Sequence, residues 1–333
     1  MAGVDSSCDL LIVGAGPAGL YGAYYAGFRG FRTIVLDALP EPGGQITAMY
    51  PEKDIFDVGG FPVVKGRELV DRLVAQAGDA PGNGPEYLLG EQAVELQTSR
   101  AEPAVVTTSR GRRIEAKAVL LTGGIGAFRP RPLPVGEEWI GRGAAYFVPQ
   151  LATYADQDVV IVGGGDSAFD WAWSLHPLAK SVTIVHRREQ FRAHAGMVSK
   201  VLALGVAAYT PHELAQVRGD GSVTEVDIRH RDTGEITTLP ADGLIAALGF
   251  IANIGPMAGW GLALDKRRVV VDSAMCASLP RIFAAGDLCT YPGKVPLISV
   301  GFGEAALAVN NAAPLVDPHM GVFPGHSSGE TGE

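Results

Sequence analysis

The sequence predicts an α/β protein with two Rossmann-like dinucleotide-binding domains, one inserted into the other. Each domain is expected to have the three-layer ββα architecture, with two layers of strands and one of helices. Three observations favour this class. The chain has 333 residues, which suits two domains of about 100–200 residues each. A glycine-rich turn after an apolar strand occurs at Gly14 and again 149 positions later at Gly163. The 44 glycines also cluster in short loops rather than recurring at a three-residue period.

The composition limits the class of protein and its partners. The chain is 47% hydrophobic and 19% charged, which excludes a disordered protein because such chains are poorer in apolar residues. The net charge of −9 argues against a nucleic-acid partner, which binds basic surfaces. Leu10–Phe28 is uncharged and long enough for a membrane span, but glycines and a proline interrupt it. We therefore expect neither a nucleic-acid nor a membrane partner.

The cysteine content indicates the compartment. Cys8, Cys276 and Cys289 are the three cysteines, and no two of them form a C-x-x-C pair. This pattern excludes a disulfide scaffold, a cysteine-rich zinc site and an iron–sulfur cluster of the chain's own, and we expect no metal site. The N-terminus lacks the basic segment that begins a signal peptide. The sequence therefore predicts a protein of the reducing cytoplasm.

The first glycine-rich turn stands in a complete β-α-β unit. Its strand, turn, helix and returning strand are Leu10–Val13, Gly14–Gly19, Leu20–Phe28 and Thr33–Leu36. The turn has the form G-x-G-x-x-G, which is typical of dinucleotide-binding proteins when a strand precedes it and a helix follows.

Each residue of this motif has a separate role in the expected site. Gly14 permits the tight turn, and Gly16 lets the backbone approach a pyrophosphate. Gly19 lets the helix pack closely on the strand. Asp37, which ends the second strand 23 positions after Gly14, would accept hydrogen bonds from ribose hydroxyls. The helix N-terminus adds unpaired N–H groups for the phosphates.

The second unit repeats this order of elements. Its parts are the strand Val159–Val162, the turn Gly163–Gly165, the helix Ala168–Leu175 and the strand Val182–Val185. Two such units predict two dinucleotide-sized ligands, or one ligand and a relic of a second site. To the second ligand we assign Gly163, Gly165, Asp166 and Ser167 of the turn and the start of the helix.

The charge at the end of the returning strand is inverted between the two units. At the offset of 149, His186 stands where the first unit has Asp37, and Arg187 and Arg188 follow it. An acidic residue there binds a free ribose 2′-hydroxyl, whereas arginine accommodates a 2′-phosphate. Arg192 adds a further candidate contact. The sequence therefore predicts NADPH, not NADH, in the second site.

Two similar segments mark the crossings between the domains. Val119–Gly124 and Leu244–Gly249 are apolar strands that end in glycine, and the proline-rich stretch Arg129–Pro134 follows the first of them. We expect the domain of the first dinucleotide site in two parts, residues 1–123 and 249–333, with the NADPH-binding domain at 124–248 between them. Pro314–Glu333 is poor in apolar residues and is expected to be a mobile tail.

Several segments carry a resemblance that extends almost from end to end. They are GAGPAG (14–19), EPGGQITAMYPEKDIFDVGGFP (41–62), GGGDSAFDWA (163–172), HRREQFRAH (186–194), AAGD (284–287), YPGKVPLISVGFGEAA (291–306) and PGHSS (324–328). In these segments the chain resembles the two-dinucleotide flavoprotein reductases, specifically the ferredoxin–NADP reductases of the thioredoxin-reductase-like type. YPEK…GFP and PGHSS distinguish this subfamily from its relatives.

The resemblance implies FAD as the first ligand and adds contacts to it. The Asp287 carboxylate of the Gly-Asp pair would bind the ribitol chain. The other implied contacts are Gln45 near the flavin and ribitol, Tyr50 stacked on one flavin face, Phe128 in the pocket wall, the Ala93 backbone at adenine, and His326 and Ser327 over the other face. A homodimer is also implied.

The missing cysteine pairs decide between neighbouring groups of enzymes. Thioredoxin reductases carry a redox C-x-x-C just before the GGGDSA segment, but Tyr146–Asp158 contains no cysteine. Glutathione-reductase relatives carry their pair soon after the first unit, and residues 38–60 contain none. Dithiol exchange is therefore excluded, because it needs an attacking thiolate. Reduced flavin would pass its electrons directly to an outside acceptor.

The predicted function is that of a ferredoxin–NADP reductase without a catalytic acid–base pair. Hydride transfer between NADPH and FAD would be coupled to one-electron transfers with ferredoxin or a flavodoxin-like carrier. Two alternatives stay open: an NADPH reductase for a flavodoxin, a quinone or a separate disulfide protein, and a non-catalytic flavin-binding protein. A basic patch for the acidic carrier is expected among Arg29, Arg32, Lys53, Lys65, Arg67 and Lys294.

Overall fold

The computed structural model describes residues 4–80, 84–124 and 126–325. The chain folds into two compact units. The first consists of Met1–Ala48, Ile55–Ala127 and Ala252–Glu333, and the second of Met49–Asp54 and Phe128–Ile251. In the described ranges, no helix is long and apolar enough to cross a membrane.

The elements up to the first crossing alternate strands and helices before a run of strands. They are β1 (Ser6–Val13), α1 (Pro17–Phe28), β2 (Thr33–Asp37), α2 (Gln45–Met49), β3 (Asp54–Ile55), β4 (Val64–Lys65), α3 (Gly66–Gly78), β5 (Glu86–Leu89), β6 (Ala93–Gln97), β7 (Ala104–Thr108) and β8 (Arg113–Leu121).

The middle of the chain has the same alternation, followed by three antiparallel strands. Its elements are β9 (Ala127–Pro130), β10 (Ala144–Ala145), β11 (Asp158–Val162), α4 (Asp166–Leu175), β12 (Ser181–Val185), α5 (Ala195–Ala203), β13 (Ala207–Tyr209), β14 (His212–Asp220), β15 (Ser222–His230), β16 (Ile236–Pro240), β17 (Gly243–Ala246) and β18 (Phe250–Asn253).

The last part returns to the first unit and ends in the longest described helix. Its elements are β19 (Leu264–Asp265), β20 (Arg268–Val270), β21 (Ile282–Ala284), β22 (Cys289–Thr290) and α6 (Ile298–Val316). Short 3-10 helices lie at Glu137–Trp139, Leu151–Tyr154, Gly255–Gly259 and Gly286–Leu288.

The first unit is built on a seven-stranded mixed sheet. Its order is β5-β2-β1-β8-β7-β6, and β21 also pairs with β8. β1 runs parallel to β2 and β8, whereas β7 is antiparallel to β6 and β8. Leu10, Leu11 and Ile12 of β1 have no exposed surface, because the continuous apolar run is covered on both faces. α1 packs against α3 and α6.

The second unit has three layers around a parallel sheet ordered β10-β17-β11-β12-β13. Alternate residues of β11 face different layers, as the two-residue period of a strand requires. Val159 and Ile161 join α4 and α5 in one core cluster. Val160 and Val162 join the antiparallel sheet β14-β15-β16 in another. The predicted α/β class with two Rossmann-like units is thus confirmed.

Residues 49–54 belong to the second unit, although the sequence analysis assigned them to the first domain. Glu52 Oε2 accepts the Leu151 N–H at 2.6 Å, and Lys53 Nζ lies 2.5 Å from an Asp170 carboxylate oxygen. Tyr50 packs against the core formed with α4 and α5. These polar contacts leave no periodic pattern in the sequence, so the sequence did not indicate that residues 49–54 join the second unit.

The C-terminal segment is more ordered than its composition predicts. α6 continues to Val316 and contains Pro314, so the expectation of a mobile tail from Pro314 onwards is wrong for its first residues. Ala312 and Ala313 are fully buried, and this packing holds the last turn despite the proline.

Arg29 anchors the chain beyond this helix. The Arg29 guanidinium, on a residue only 9% exposed, donates to Asn310 Oδ1 at 2.8 Å. It also donates to the carbonyls of Gly321 at 2.7 Å and Val322 at 3.0 Å.

We expect Arg29→Met to release this segment, because three charge-assisted hydrogen bonds would be lost. Thermolysin should then cleave the Gly321–Val322 bond several-fold faster than in the wild type, as followed by intact-mass spectrometry. Arg32→Met is the matched control, since the Arg32 side chain is 63% exposed. Equal cleavage rates in both variants would show that Arg29 does not anchor the segment.

Candidate functional site

The first glycine-rich turn fits tightly between two parallel strands. Gly14 has φ of 120°, and a Cβ there would lie 2.5 Å from the Thr122 carbonyl oxygen at the end of β8. A Cβ on Gly19 would lie 1.9 Å from the Gly14 carbonyl oxygen. Both positions therefore exclude any side chain, as the motif predicts.

The start of α1 leaves room for an anionic ligand. Gly16 is the N-cap residue and provides no side chain to the free N–H groups of the first turn. A Cβ on Gly16 would meet no atom within 4 Å, so the space beside it is open. An open, uncapped helix N-terminus fits a pyrophosphate, which the N–H groups and the helix dipole would stabilise.

Asp37 is held beside this turn by two backbone groups. Its carboxylate accepts the Ala15 N–H at 2.6 Å and the Leu39 N–H at 2.8 Å. Burial raises the pKa of Asp37, while these two hydrogen bonds act in the opposite direction. Each oxygen keeps a lone pair, so the carboxylate can still accept from ribose hydroxyls.

A second glycine turn brings Gln45 to the same place. The Gly43 N–H donates to the Ala15 carbonyl at 2.8 Å, and a Cβ on Gly44 would lie 3.2 Å from the Gly16 Cα. Gln45 begins α2 directly after this turn, and its Nε2 would lie 3.0 Å from a Cβ on Gly124. Gln45 therefore lies near the ends of β1 and β8.

The Gly-Asp pair also reaches the start of α1. A Cβ on Gly286 would lie 3.1 Å from Ala18 Cβ, and Gly286 has φ of 73°. Asp287 follows in the 3-10 helix and is half-buried. The structure thus brings Asp287, Asp37, Gln45 and the first glycine turn together in one unit.

A buried carboxylate that sequence reasoning missed holds the turn of Asp287. Glu304 Oε2 accepts the Gly286 N–H at 2.8 Å. Glu304 Oε1 accepts the Tyr291 hydroxyl at 2.6 Å and forms an ion pair with Lys294. Both side chains of the pair are only 3% exposed. The hydrogen bond from Tyr291 to Glu304 and burial raise the pKa of Tyr291 to about 12.

A backbone hydrogen bond two residues before Ala93 links this segment to Asp37. Ala93 is buried in β6, and the Glu91 N–H donates to the Asp37 carbonyl at 3.1 Å. Glu91 is itself buried and accepts the Thr108 hydroxyl at 2.8 Å. The backbone that precedes Ala93 is therefore bonded to the backbone of Asp37, the residue assigned to the ribose.

Four predicted flavin contacts are not placed with these residues. Tyr50 groups with the second unit, where Lys53 Nζ lies 5.4 Å from its ring centroid. Phe128 has its backbone in β9, but its side chain lies outside the described residues, as do His326 and Ser327.

The second glycine-rich turn reproduces the first. A Cβ on Gly163 would lie 2.3 Å from the Ala247 carbonyl oxygen at the end of β17, just as Gly14 meets Thr122. Gly165 is the N-cap of α4 without a side-chain cap, and a Cβ there would meet no atom within 4 Å. Ser167 is exposed in the first turn of this helix.

The backbone of the arginine segment is tied to this turn. The Arg192 N–H donates to the Gly164 carbonyl at 2.7 Å, and the His194 N–H donates to Asp166 Oδ1 at 2.8 Å. The His186 ring occupies the place of a Gly164 side chain, since a Cβ there would lie 2.4 Å from its Nδ1. The structure thus groups the predicted second-site residues.

The charge of the second site comes from its arginines. Burial lowers the pKa of His186, and the charges of Arg188, Arg187 and Arg192 lower it further, so the ring is neutral at pH 7. All three arginines are exposed. Across the described ranges, their guanidinium groups have no hydrogen bond or ion pair, which leaves them available to an anionic ligand.

The expected basic docking patch is wrong for two of its six members. Arg29 and Lys294 have buried side chains that are already bonded within the first unit. Three others face carboxylates: Arg32 is 3.8 Å from Asp9, Lys53 is 2.5 Å from Asp170 and Arg67 is 2.9 Å from Glu41. Spacing along the sequence did not reveal these partners.

The cysteines are free thiols without the character of a redox pair. Burial raises the pKa of Cys8 to about 12, and burial together with the Glu304 charge raises that of Cys289 to about 12. Burial and Asp272 raise the pKa of Cys276. Thiols that stay protonated are poor nucleophiles. Among the described residues, no group of three or more His, Cys, Asp or Glu side chains could hold a metal ion.

The strand–turn–helix that each unit repeats on its parallel strands defines an α/β protein with two Rossmann-like dinucleotide-binding units. The chain belongs to the pyridine nucleotide-disulphide oxidoreductase family, which matches residues 8–311.

Curated relatives match along the whole length. The chain is 56% identical to a protein of Frankia alni named Ferredoxin–NADP reductase, over 97% of this chain and 99% of the relative. Proteins of the same name from Salinispora tropica and Thermus thermophilus are 58% and 48% identical, over 97% and 96% of this chain and 99% and 96% of theirs. The resemblance found in the motifs is confirmed.

Solved structures agree with the fold. The thioredoxin reductase of T. acidophilum superposes with a TM-score of 0.79 at 26% identity, covering 92% of this chain and 97% of that one. The thioredoxin reductase of Lactococcus lactis gives 0.78 at 25% identity, covering 93% and 99%.

We expect Glu304→Gln to lower the free energy of unfolding by about 3–5 kcal/mol, because it leaves the Lys294 charge buried without its partner. The double variant Lys294→Met/Glu304→Leu should cost less, since it removes both charges. Urea unfolding measures both. Glu41→Gln, in the exposed pair with Arg67, is the control and should cost about 0–1 kcal/mol. If Glu304→Gln lowered the free energy of unfolding as little as the control does, Lys294 would not be left as a buried charge without a partner.

Proposed function

We propose that this protein is an FAD-dependent ferredoxin–NADP reductase. The observation that carries the proposal is the match over 96–97% of the chain to relatives of that name. A bound flavin would supply the chemistry, since it exchanges a hydride with a nicotinamide and single electrons with a carrier. The chain itself binds, orients and shields the reactants, and we assign no residue as a catalytic acid or base.

FAD in the first unit is supported by the residues that converge there. The open N-terminus of α1 beside Gly16 fits the pyrophosphate, and Asp37 retains lone pairs for the adenosine ribose. Asp287, on a turn held by Glu304, is assigned to the ribitol hydroxyls. Gln45 reaches the same region from α2.

NADPH in the second unit is supported by charge. The turn at Gly165 is as open as that at Gly16, but the carboxylate at the strand end is replaced by a neutral His186 followed by arginines. The exposed, unbonded guanidinium groups of Arg187 and Arg188 match a 2′-phosphate dianion.

An outside electron carrier is supported by the state of the thiols. Cys8 and Cys289 have pKa values of about 12, so neither provides the thiolate that dithiol exchange requires. Flavin would therefore exchange electrons with an external carrier, and ferredoxin is the carrier that appears in the relatives' name.

The decisive experiment compares two acceptors with NADPH as donor. The purified holoprotein should reduce ferricyanide, and it should reduce cytochrome c only when ferredoxin is added. Ferricyanide reduction without the ferredoxin-dependent reaction would favour a flavodoxin, a quinone or a separate disulfide protein as acceptor. Absence of both reactions would favour a non-catalytic flavin-binding protein.

The first cofactor prediction concerns flavin content. The wild type should carry one FAD per chain, and Asp287→Ala should lower the bound fraction, because it removes the carboxylate assigned to the ribitol. Absorbance of the protein and of the released flavin measures the ratio. Asp265→Ala, at an exposed position in the same unit, should leave it unchanged. Full flavin content in Asp287→Ala would remove the ribitol assignment.

The second cofactor prediction concerns coenzyme choice. Arg187→Ala/Arg188→Ala should weaken NADPH binding about 100-fold or more, since each charge-assisted hydrogen bond contributes about 1.5–3 kcal/mol. NADH binding should change little, because NADH has no 2′-phosphate. Titration calorimetry with both coenzymes measures the effect, and equal losses for the two would refute the assignment.

Oligomeric state and compartment complete the proposal. We propose a homodimer, as the resemblance implies, and sedimentation equilibrium of the holoprotein would test it. We place the protein in the cytoplasm, where three free thiols would stay reduced. Fractionation of cells that express a tagged chain tests this placement.

A further inference from the structure

The arginine segment after β12 is joined to a distant part of the second unit. The His186 N–H donates to the Tyr209 carbonyl at 2.9 Å, and the His212 N–H donates to the His186 carbonyl at 2.9 Å. These bonds continue the pairing of β12 beyond its end towards the start of β14. The segment is therefore supported on one side by the glycine turn and on the other by residues 209–212.

Arg231, just after β15, adds a third contact to this segment, at Arg187. Its Nη1 donates to the Arg187 carbonyl oxygen at 3.2 Å. Its own backbone N–H donates to the Pro211 carbonyl at 2.9 Å. The guanidinium group thus reaches from the hairpin β14–β15 to the peptide between Arg187 and Arg188.

A carboxylate orients Arg231 in this position. Glu213 lies opposite Arg229 in the β14–β15 pairing and forms an ion pair with it. Glu213 Oε2 also lies 3.8 Å from Arg231 Nε. The hydrogen bond from Arg229, with the charges of Arg229, Arg231 and Arg187, lowers the pKa of Glu213. The carboxylate is therefore ionised at neutral pH and holds the Arg231 side chain beside Arg187.

We propose that Arg231 is a positioning residue for the 2′-phosphate site: it fixes the main chain that carries Arg187 and Arg188, and so raises the preference for 2′-phosphorylated nucleotides. The inference rests on the proposed function and extends it to a residue 44 positions beyond the arginine motif. Preorganisation is the physical basis, because a fixed backbone reduces the entropy lost when the two guanidinium groups engage a ligand.

The effect should be selective for the phosphate. Loss of one hydrogen bond of about 1 kcal/mol corresponds to about a three- to tenfold loss of affinity. Nucleotides without a 2′-phosphate do not use the arginine pair, so their affinity should change less than twofold. Because the Arg231 side chain is 50% exposed, its removal leaves no cavity in the core.

The test compares two arginines of one hairpin by titration calorimetry, with 2′,5′-ADP and 5′-AMP as probes. Arg231→Ala should weaken 2′,5′-ADP binding about three- to tenfold and leave 5′-AMP binding and the melting temperature nearly unchanged. Arg229→Ala removes the same charge at 52% exposure without touching Arg187, and should change 2′,5′-ADP binding less.

Each outcome decides between separate statements. Equal losses of 2′,5′-ADP affinity in both variants would show that only the loss of one positive charge matters. That result would overturn the positioning role of Arg231. An unchanged affinity in Arg231→Ala, with the wild-type preference intact, would overturn this inference alone. A wild type that binds the two probes equally would overturn the proposed NADPH specificity, and the role of Arg231 with it.

Discussion

Both units depend on one close contact, in which the first glycine of each turn lies against the end of the neighbouring parallel strand. A Cβ on Gly14 or on Gly163 would lie within 2.5 Å of a carbonyl oxygen, that of Thr122 or Ala247. The contact lets the chain leave the strand at once and begin a helix. Since the helix then starts at the sheet edge with free N–H groups, the place where a phosphate can bind follows from backbone sterics alone.

The two turns share this geometry but differ in the charge that surrounds them. In the first unit the strand end carries Asp37, and two backbone N–H groups partly offset the rise in its pKa that burial causes. In the second unit the strand end carries a neutral His186, whose ring fills the space beside Gly164. The positive charge there lies on the exposed arginines that follow. The same backbone frame therefore carries two different charge environments, which the side chains at one strand end determine.

The sequence predicted what local pattern controls and missed what distant packing controls. The strand Leu10–Val13 and its glycine turn were predictable, because an apolar run and a fixed spacing encode them. The sheet β14-β15-β16 was missed although its strands follow one another in the chain, since they are largely polar and bury few apolar side chains, such as Val226 and Ile228. Lys294 was mistaken for a surface charge, because its partner Glu304 lies ten positions away within a nearly uncharged apolar stretch. Arg231 was missed because its contact, the Arg187 carbonyl, lies 44 positions away in the sequence.

The protonated thiols of Cys8 and Cys289 have a consequence for durability. Peroxides and electrophiles attack the thiolate, and a thiol with a pKa of about 12 is almost wholly protonated in the cell. Enzymes that work through a reactive cysteine pair lose activity when that pair is overoxidised. A chain that keeps these two sulfurs buried and protonated avoids that route of inactivation at Cys8 and Cys289, so oxidative stress must unfold it locally before it reaches them.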